Sequence, residues 1–212
     1  MNDVSVSRRQ QINQRIRMHR ISTLSILAAV TFILNAGCSS TENTVAKTEC
    51  GSELAQANGI PIYSNGTGLS SCVEEENRRH TDQSGYSYGL KWQCVEFVRR
   101  YYKEYLNHTM PEQWGNAADY FKEDVRHGEL NKERGLVQYR NNSPEQPRID
   151  DILVFPKMAE GLGHVAIVTE VRDNSIIVAQ QNAHPSIASF KITEQAGIWS
   201  IANDCAGFLR KP

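Results

Sequence analysis

The sequence predicts one α+β domain, helices first and an antiparallel sheet after them, on three observations. Apolar residues recur at helical spacing from Trp92 to Tyr105, the period shortens to that of strands from Ile152 onward, and the content is 40% hydrophobic with 22% charged residues, that of a soluble globular chain. A length of 212 residues holds one such domain and a targeting segment, not two large domains.

The first element is not part of the fold. Five arginines (Arg8, Arg9, Arg15, Arg17, Arg20) precede an apolar run from Ile21 to Leu34, the pattern of a bacterial signal peptide over residues 1–37. The run has 14 residues, short of the roughly 20 that a permanent span needs, so cleavage is expected. Ala36-Gly37-Cys38 resembles the lipobox of bacterial lipoproteins, with Asn35 where leucine is usual. The resemblance implies lipidation of Cys38, and Ser39 implies sorting to the outer membrane, so the expected location is the periplasmic face with acyl chains as the anchor. Residues 38–57 are rich in Ser, Thr, Asn, Glu and Lys and predict a polar tether, with the folded domain over 58–212.

Cleavage after Gly37 removes five of the 23 Lys and Arg and one of the 24 Asp and Glu, leaving the mature chain at net −5. That balance excludes nucleic acid as a partner. Five cysteines suit an oxidising compartment if some pair; Cys50 with Cys72 is the simplest disulfide and would leave Cys205 buried and free, although spacing does not fix connectivity.

Within the domain, Ile60-Pro61-Ile62-Tyr63 opens the fold before a turn-rich stretch, and residues 74–80 read as solvated surface. Val95, Val98, Tyr101, Tyr102 and Tyr105 then mark a helix with Cys94 in its first turn, and a second helix is expected over 116–125. Residues 152–155, 164–169, 175–179 and 207–209 read as strands, the middle two joined by a hairpin turn at 172–175.

A helix N-terminus lowers a thiol's pKa, because its unpaired N–H groups and dipole favour the thiolate, and the same groups can receive an oxyanion. Cys94 occupies such a place. His164, after Gly161-Leu162-Gly163 at the start of a strand, is placed to form an ion pair with it. The plain alternative is a buried structural cysteine and a structural histidine.

Longer matches decide between them. Residues 88–100, from Tyr88 through Trp92-Gln93-Cys94 to Arg100, closely resemble the nucleophile segment of CHAP amidases, and among these the amidase domain of bifunctional glutathionylspermidine synthetase/amidase. Trp114-Gly115-Asn116-Ala117 resembles another CHAP element. Residues 147–155 look like the family's first core strand, with Asp150 where glycine is common, and Gly163-His164-Val165-Ala166-Ile167-Val168 is similar to its histidine strand. The resemblance implies a papain-like fold and mechanism, with Cys94 as nucleophile, His164 as base, and Gln93 assisting the oxyanion. Arg99 matches an active-site arginine, the alternative being a solvated helix face. Gln180 stands where relatives hold the histidine with glutamate, and it is preferred over Asn182 for that role. A glutamine can orient an imidazole but brings no full charge.

Rival motifs carry less. Gly85-Tyr86-Ser87-Tyr88-Gly89 fits a serine elbow, but the preceding residues are too polar for the strand it requires. The histidines are scattered without ligand spacing, so no metal is expected, and His184 is a secondary candidate base. No cofactor is expected, and the chain is expected to be a monomer. The expected activity is thiol-dependent hydrolysis of peptidoglycan amides; the alternatives are a glutathionylspermidine-type amide and a non-catalytic wall-binding lipoprotein.

Overall fold

The computed structural model describes residues 49–66 and 72–212; the signal segment, Cys38 and the tether as far as Thr48 lie outside the described residues. Where composition predicts the end of the tether, the chain already forms strand β1 (Glu53–Ala57), paired antiparallel with β2 (Ile60–Tyr63). The pair is a hairpin because Asn58 and Gly59 both take positive φ, the conformation that two-residue hairpin turns require. A disulfide between Cys50 and Cys72, the simplest of the expected pairings, ties this hairpin to the segment beyond it, and Cys94 and Cys205 are free and buried.

The stretch read as solvated surface contains β3 (Arg79–Thr81), paired with β4 (Ser87–Leu90), which leads into helix α1 (Cys94–Arg100) and a single π-helical turn over Tyr101–Tyr105. An eight-stranded sheet follows: β5 (Glu129–Asn131), β6 (Leu136–Arg140), β7 (Ile152–Phe155), β8 (His164–Val171), β9 (Ser175–Ala179), β10 (Ile187–Gln195), β11 (Ile198–Ile201) and β12 (Gly207–Arg210). Its order is β11-β10-β9-β8-β7-β12-β6-β5, with every neighbouring pair antiparallel. Trp199 of β11 bridges to Ser143, just past β6, and the Asn141 side chain bonds the backbone of Ile201 and Cys205, so the far edge curls back toward β6.

At β7 both faces of the sheet are buried, which explains the unbroken apolar run of that strand. Ile152 and Val154 pack with Phe97, Val98 and Tyr101 of the helical segment, while Leu153 and Phe155 pack with Ile192, Ile201 and Phe208 on the other face. Asp150 takes φ +73 at the position where the resemblance implies glycine; its carboxylate accepts from the Tyr101 hydroxyl at 2.6 Å and its carbonyl from the Tyr102 hydroxyl at 2.6 Å. Those bonds offset a left-handed conformation that costs about 1–2 kcal/mol.

Among the described residues, the expectation of several N-terminal helices is corrected to one α-helix and a fold that is mostly antiparallel sheet. Residues 116–125 contain only a short 3-10 turn, Ala118–Tyr120, because other groups take the backbone bonds that a helix would use. Ala118 N–H donates to Leu162 O, the Gln138 amide bonds the backbone of Lys122 on both sides, and Asn131 donates to Tyr120 O. Among the described residues no helix is long and apolar enough to cross a membrane.

Candidate active site

Gly89, at φ +125, lies so close to the Glu96 backbone and the Arg99 guanidinium that an added Cβ would sit 3.6 Å from each, and this lets β4 run against the start of α1. Gln93 is the extended cap residue and Cys94 the first helical one. At the start of β8, Gly163 holds the backbone against Ala118: an added Cβ would lie 2.3 Å from Ala118 N, and φ is +81. Helix α1 packs on β8, which sets His164 facing Cys94.

The two side chains share a hydrogen bond. His164 Nε2 faces Gln180 Oε1 at 2.9 Å, which leaves Nδ1 for the sulfur. Gln180 in turn donates from Nε2 to Pro185 O at 2.9 Å, so its amide is oriented from both ends and the imidazole must donate at Nε2. Burial alone would push the Cys94 thiol up, but the His164 hydrogen bond and charge, with the N–H groups of Val165 and Val95, take it below the ordinary thiol value. Burial alone would push His164 down, but the Cys94 bond and charge, then the Gln180 bond, raise it above the ordinary imidazole value. Both shifts favour thiolate and imidazolium together.

Cys94 and His164 open onto a pocket of about 390 Å³. Residues 84–182 match the family model of the CHAP domain. This part of the chain is similar to the CHAP domain. Such domains are cysteine amidase hydrolases, so amide hydrolysis is the activity the family implies. Similar proteins include "Trypanothione synthetase" of Crithidia fasciculata, 32% identical over 125 residues, 55% of this chain and 19% of the relative. "Bifunctional glutathionylspermidine synthetase/amidase" of Escherichia coli (strain K12) is 33% identical over 101 residues, 44% of this chain and 16% of the relative. The chain thus spans less than a fifth of the length of these relatives.

Of the expected site residues, the fold brings Cys94, His164 and Gln180 into one bonded row, with Gln93, Asn182 and Arg99 on the pocket wall. Asn182 does not hold the imidazole: it donates to Gln93 Oε1 at 2.7 Å and accepts from Asn65 at 3.0 Å. The reason is that β9 ends at Ala179, and the strand alternation that put Gln180 and Asn182 on one face stops there, with Asn182 at φ +55. Arg99 is not on a solvated face; it is 1% exposed and donates to the carbonyls of Tyr88, Gln113 and Trp114. His184 is not among the pocket-lining residues. Among the described residues no group of three or more His, Cys, Asp or Glu is gathered to hold a metal.

Sequence reasoning missed the polar layer behind the pocket. Fully buried Glu96 bonds Arg100, His80 and Gln181, and Gln181 also donates to Gln93 O and accepts from Tyr63 N–H. Its signal was three consecutive amides, 180–182, directly after an apolar strand. Arg78 and Arg79, read as surface, also line the pocket.

Proposed function

We propose that the chain is a thiol-dependent amide hydrolase of the cell envelope that acts on peptidoglycan, with Cys94 as nucleophile, His164 as proton carrier and Gln180 as its orienting partner. The observation that carries the reading is the free, buried Cys94 bonded to a histidine that Gln180 fixes from the other side. The thiolate adds to the amide carbon, and the oxygen gathers charge beside the N–H groups at the start of α1 and the Gln93 amide. Imidazolium gives its Nδ1 proton to the nitrogen as the C–N bond breaks, and the amine leaves. Water then adds to the thioester, His164 takes a proton from it, and the sulfur departs as thiolate, leaving a carboxylic acid.

Gln180 serves the same geometry as an acid without the charge. Its Nε2 donates to Pro185 O, a bond that an ionised glutamate at this position would replace by oxygen facing oxygen. Gln180→Ala is expected to lower kcat by about tenfold to hundredfold, the worth of one hydrogen bond to a charged group. Because Gln180 helps raise His164, the alkaline limb of the pH–rate profile should move to lower pH in that variant. An unmoved limb would remove Gln180 from the mechanism.

The envelope is favoured by the arginine-led apolar segment ending at Cys38 and by the Cys50–Cys72 disulfide, which suits an oxidising compartment. The anchor would be acyl chains on Cys38, and the partner the wall itself. A second reading, an amidase for a glutathionylspermidine-like conjugate, is favoured by the names of the similar proteins. Purified chain 38–212 incubated with murein sacculi and, separately, with glutathionylspermidine is expected to release soluble muropeptides from the first and no spermidine from the second. Spermidine release alone reverses the choice.

A further inference from the structure

The wall of the pocket is unusual in its charge. Arg78, Arg79 and Arg99 line it, and among the described residues no aspartate or glutamate does, although the mature chain is acidic. The carboxylates nearby are already engaged: Asp119 accepts from Asn116 N–H, Glu112 from Trp114 N–H, and Glu75 pairs with Arg78. Arg99 is buried, with carbonyls as its partners and its Nε without one. An enclosed guanidinium with no counter-charge is costly unless something anionic completes it.

Arg79 is the cation on this wall that combines exposure with a fixed pose. Its guanidinium lies 4.2 Å from the ring centroid of Trp114, which is itself 64% exposed, and Nη1 donates to Ser87 Oγ at 3.2 Å. No described carboxylate pairs with it. Stacking fixes the plane of the fork and leaves its other N–H groups for an oxygen pair, the arrangement in which arginine binds carboxylates.

We propose that Arg79, braced by Trp114, is the specificity residue of the pocket, and that it receives a free carboxylate of the substrate, so that the chain selects amides within acidic peptides. Arg99 beneath the pocket adds to the positive field, and Arg79 makes the contact. This rests on the hydrolase reading for its rate measurements and is independent of it for binding.

The test compares two probes: the stem tetrapeptide L-alanyl-γ-D-glutamyl-meso-diaminopimelyl-D-alanine, and the same peptide with every free carboxylate amidated. The wild-type protein should prefer the acid form in kcat/KM by about tenfold to hundredfold, mostly through KM, and Arg79→Ala should collapse that ratio to near one. Arg79→Lys, which keeps charge but loses the fork, should fall between, while Arg126→Ala, which removes a remote exposed charge, should keep the wild-type ratio. A wild-type ratio near one, or an unchanged ratio in Arg79→Ala, overturns the proposal. Calorimetry on Cys94→Ala separates the two readings. Arg79-dependent binding of the acid peptide without any hydrolysis by wild type sinks the hydrolase and keeps this site, whereas no binding of the acid peptide overturns the site.

Discussion

Replacing Cys94 by alanine is expected to bring hydrolysis down to the uncatalysed level, a loss on the order of 10⁴-fold or more. The sulfur is the group that bonds to carbon, and an alanine methyl fills much of the same small buried space, so circular dichroism should stay at the wild-type signal. Iodoacetamide offers a direct readout in the wild-type protein. Cys94 is held below the ordinary thiol value, whereas burial pushes Cys205 up to about 12, so Cys94 should be alkylated first at neutral pH and Cys205 last. The sign of the pH profile follows. Thiolate forms below the usual ~8.5 and imidazolium persists above the usual ~6.5, so activity rises with pH as the ion pair forms and falls again as His164 loses its proton. A single rising limb centred at an ordinary thiol value, or preferential labelling of Cys205, would contradict the ion pair.

The second large effect is on folding. Glu96 is fully buried, and its carboxylate bonds Arg100 Nε at 2.7 Å, His80 Nδ1 at 2.7 Å and Gln181 Nε2 at 2.6 Å. Glu96→Ala leaves the Arg100 side chain, 4% exposed, without its anion, for an expected loss of about 3–5 kcal/mol. For a domain of this size that lowers Tm by roughly 10 °C or more. Burial alone would push the Glu96 carboxyl up, but its bonds to His80, Arg100 and Gln181 hold it below the ordinary range. A depressed folded value means that this stability is complete above the unfolded value of ~4.3 and is lost as pH falls through the lower folded one. Chemical denaturation across the acid range should therefore show a slope that Glu96→Gln reduces; equal slopes would show that the carboxylate is not the titrating group.

The site was legible where residue type and local structure agree. Val95, Val98 and Tyr101 make a helix whose first residue is a cysteine, and Gly163-His164 opens an apolar strand, so periodicity makes Cys94 and His164 candidates, and the resemblance of residues 88–100 and 163–168 to CHAP amidases is what selects them. What hid was polar and inward. Strand β6 contains Gln138, 0% exposed, where alternation wants an apolar side chain, and its amide is spent bonding the segment that had been expected to form a helix. Likewise β3 has only Arg79, His80 and Thr81 to announce it, and its pairing with β4 comes from tertiary context that a short window does not contain. Gln181 and Glu96 find each other across 85 positions of chain, a separation at which no local pattern speaks.

The hairpin at the front of the domain has a practical consequence for anyone trimming the gene. Tyr63 N–H holds Gln181, and Asn65 reaches both Asn182 and Trp92 N–H, so residues upstream of position 84 brace the loop that follows the histidine's partner. An expression fragment cut to 84–182 would discard that brace, together with β10, β11 and β12, and leave the hydrogen-bonding edges of β7 and β9 unpaired. The smallest piece worth producing runs from Glu49, ahead of the first bridged cysteine, to Pro212.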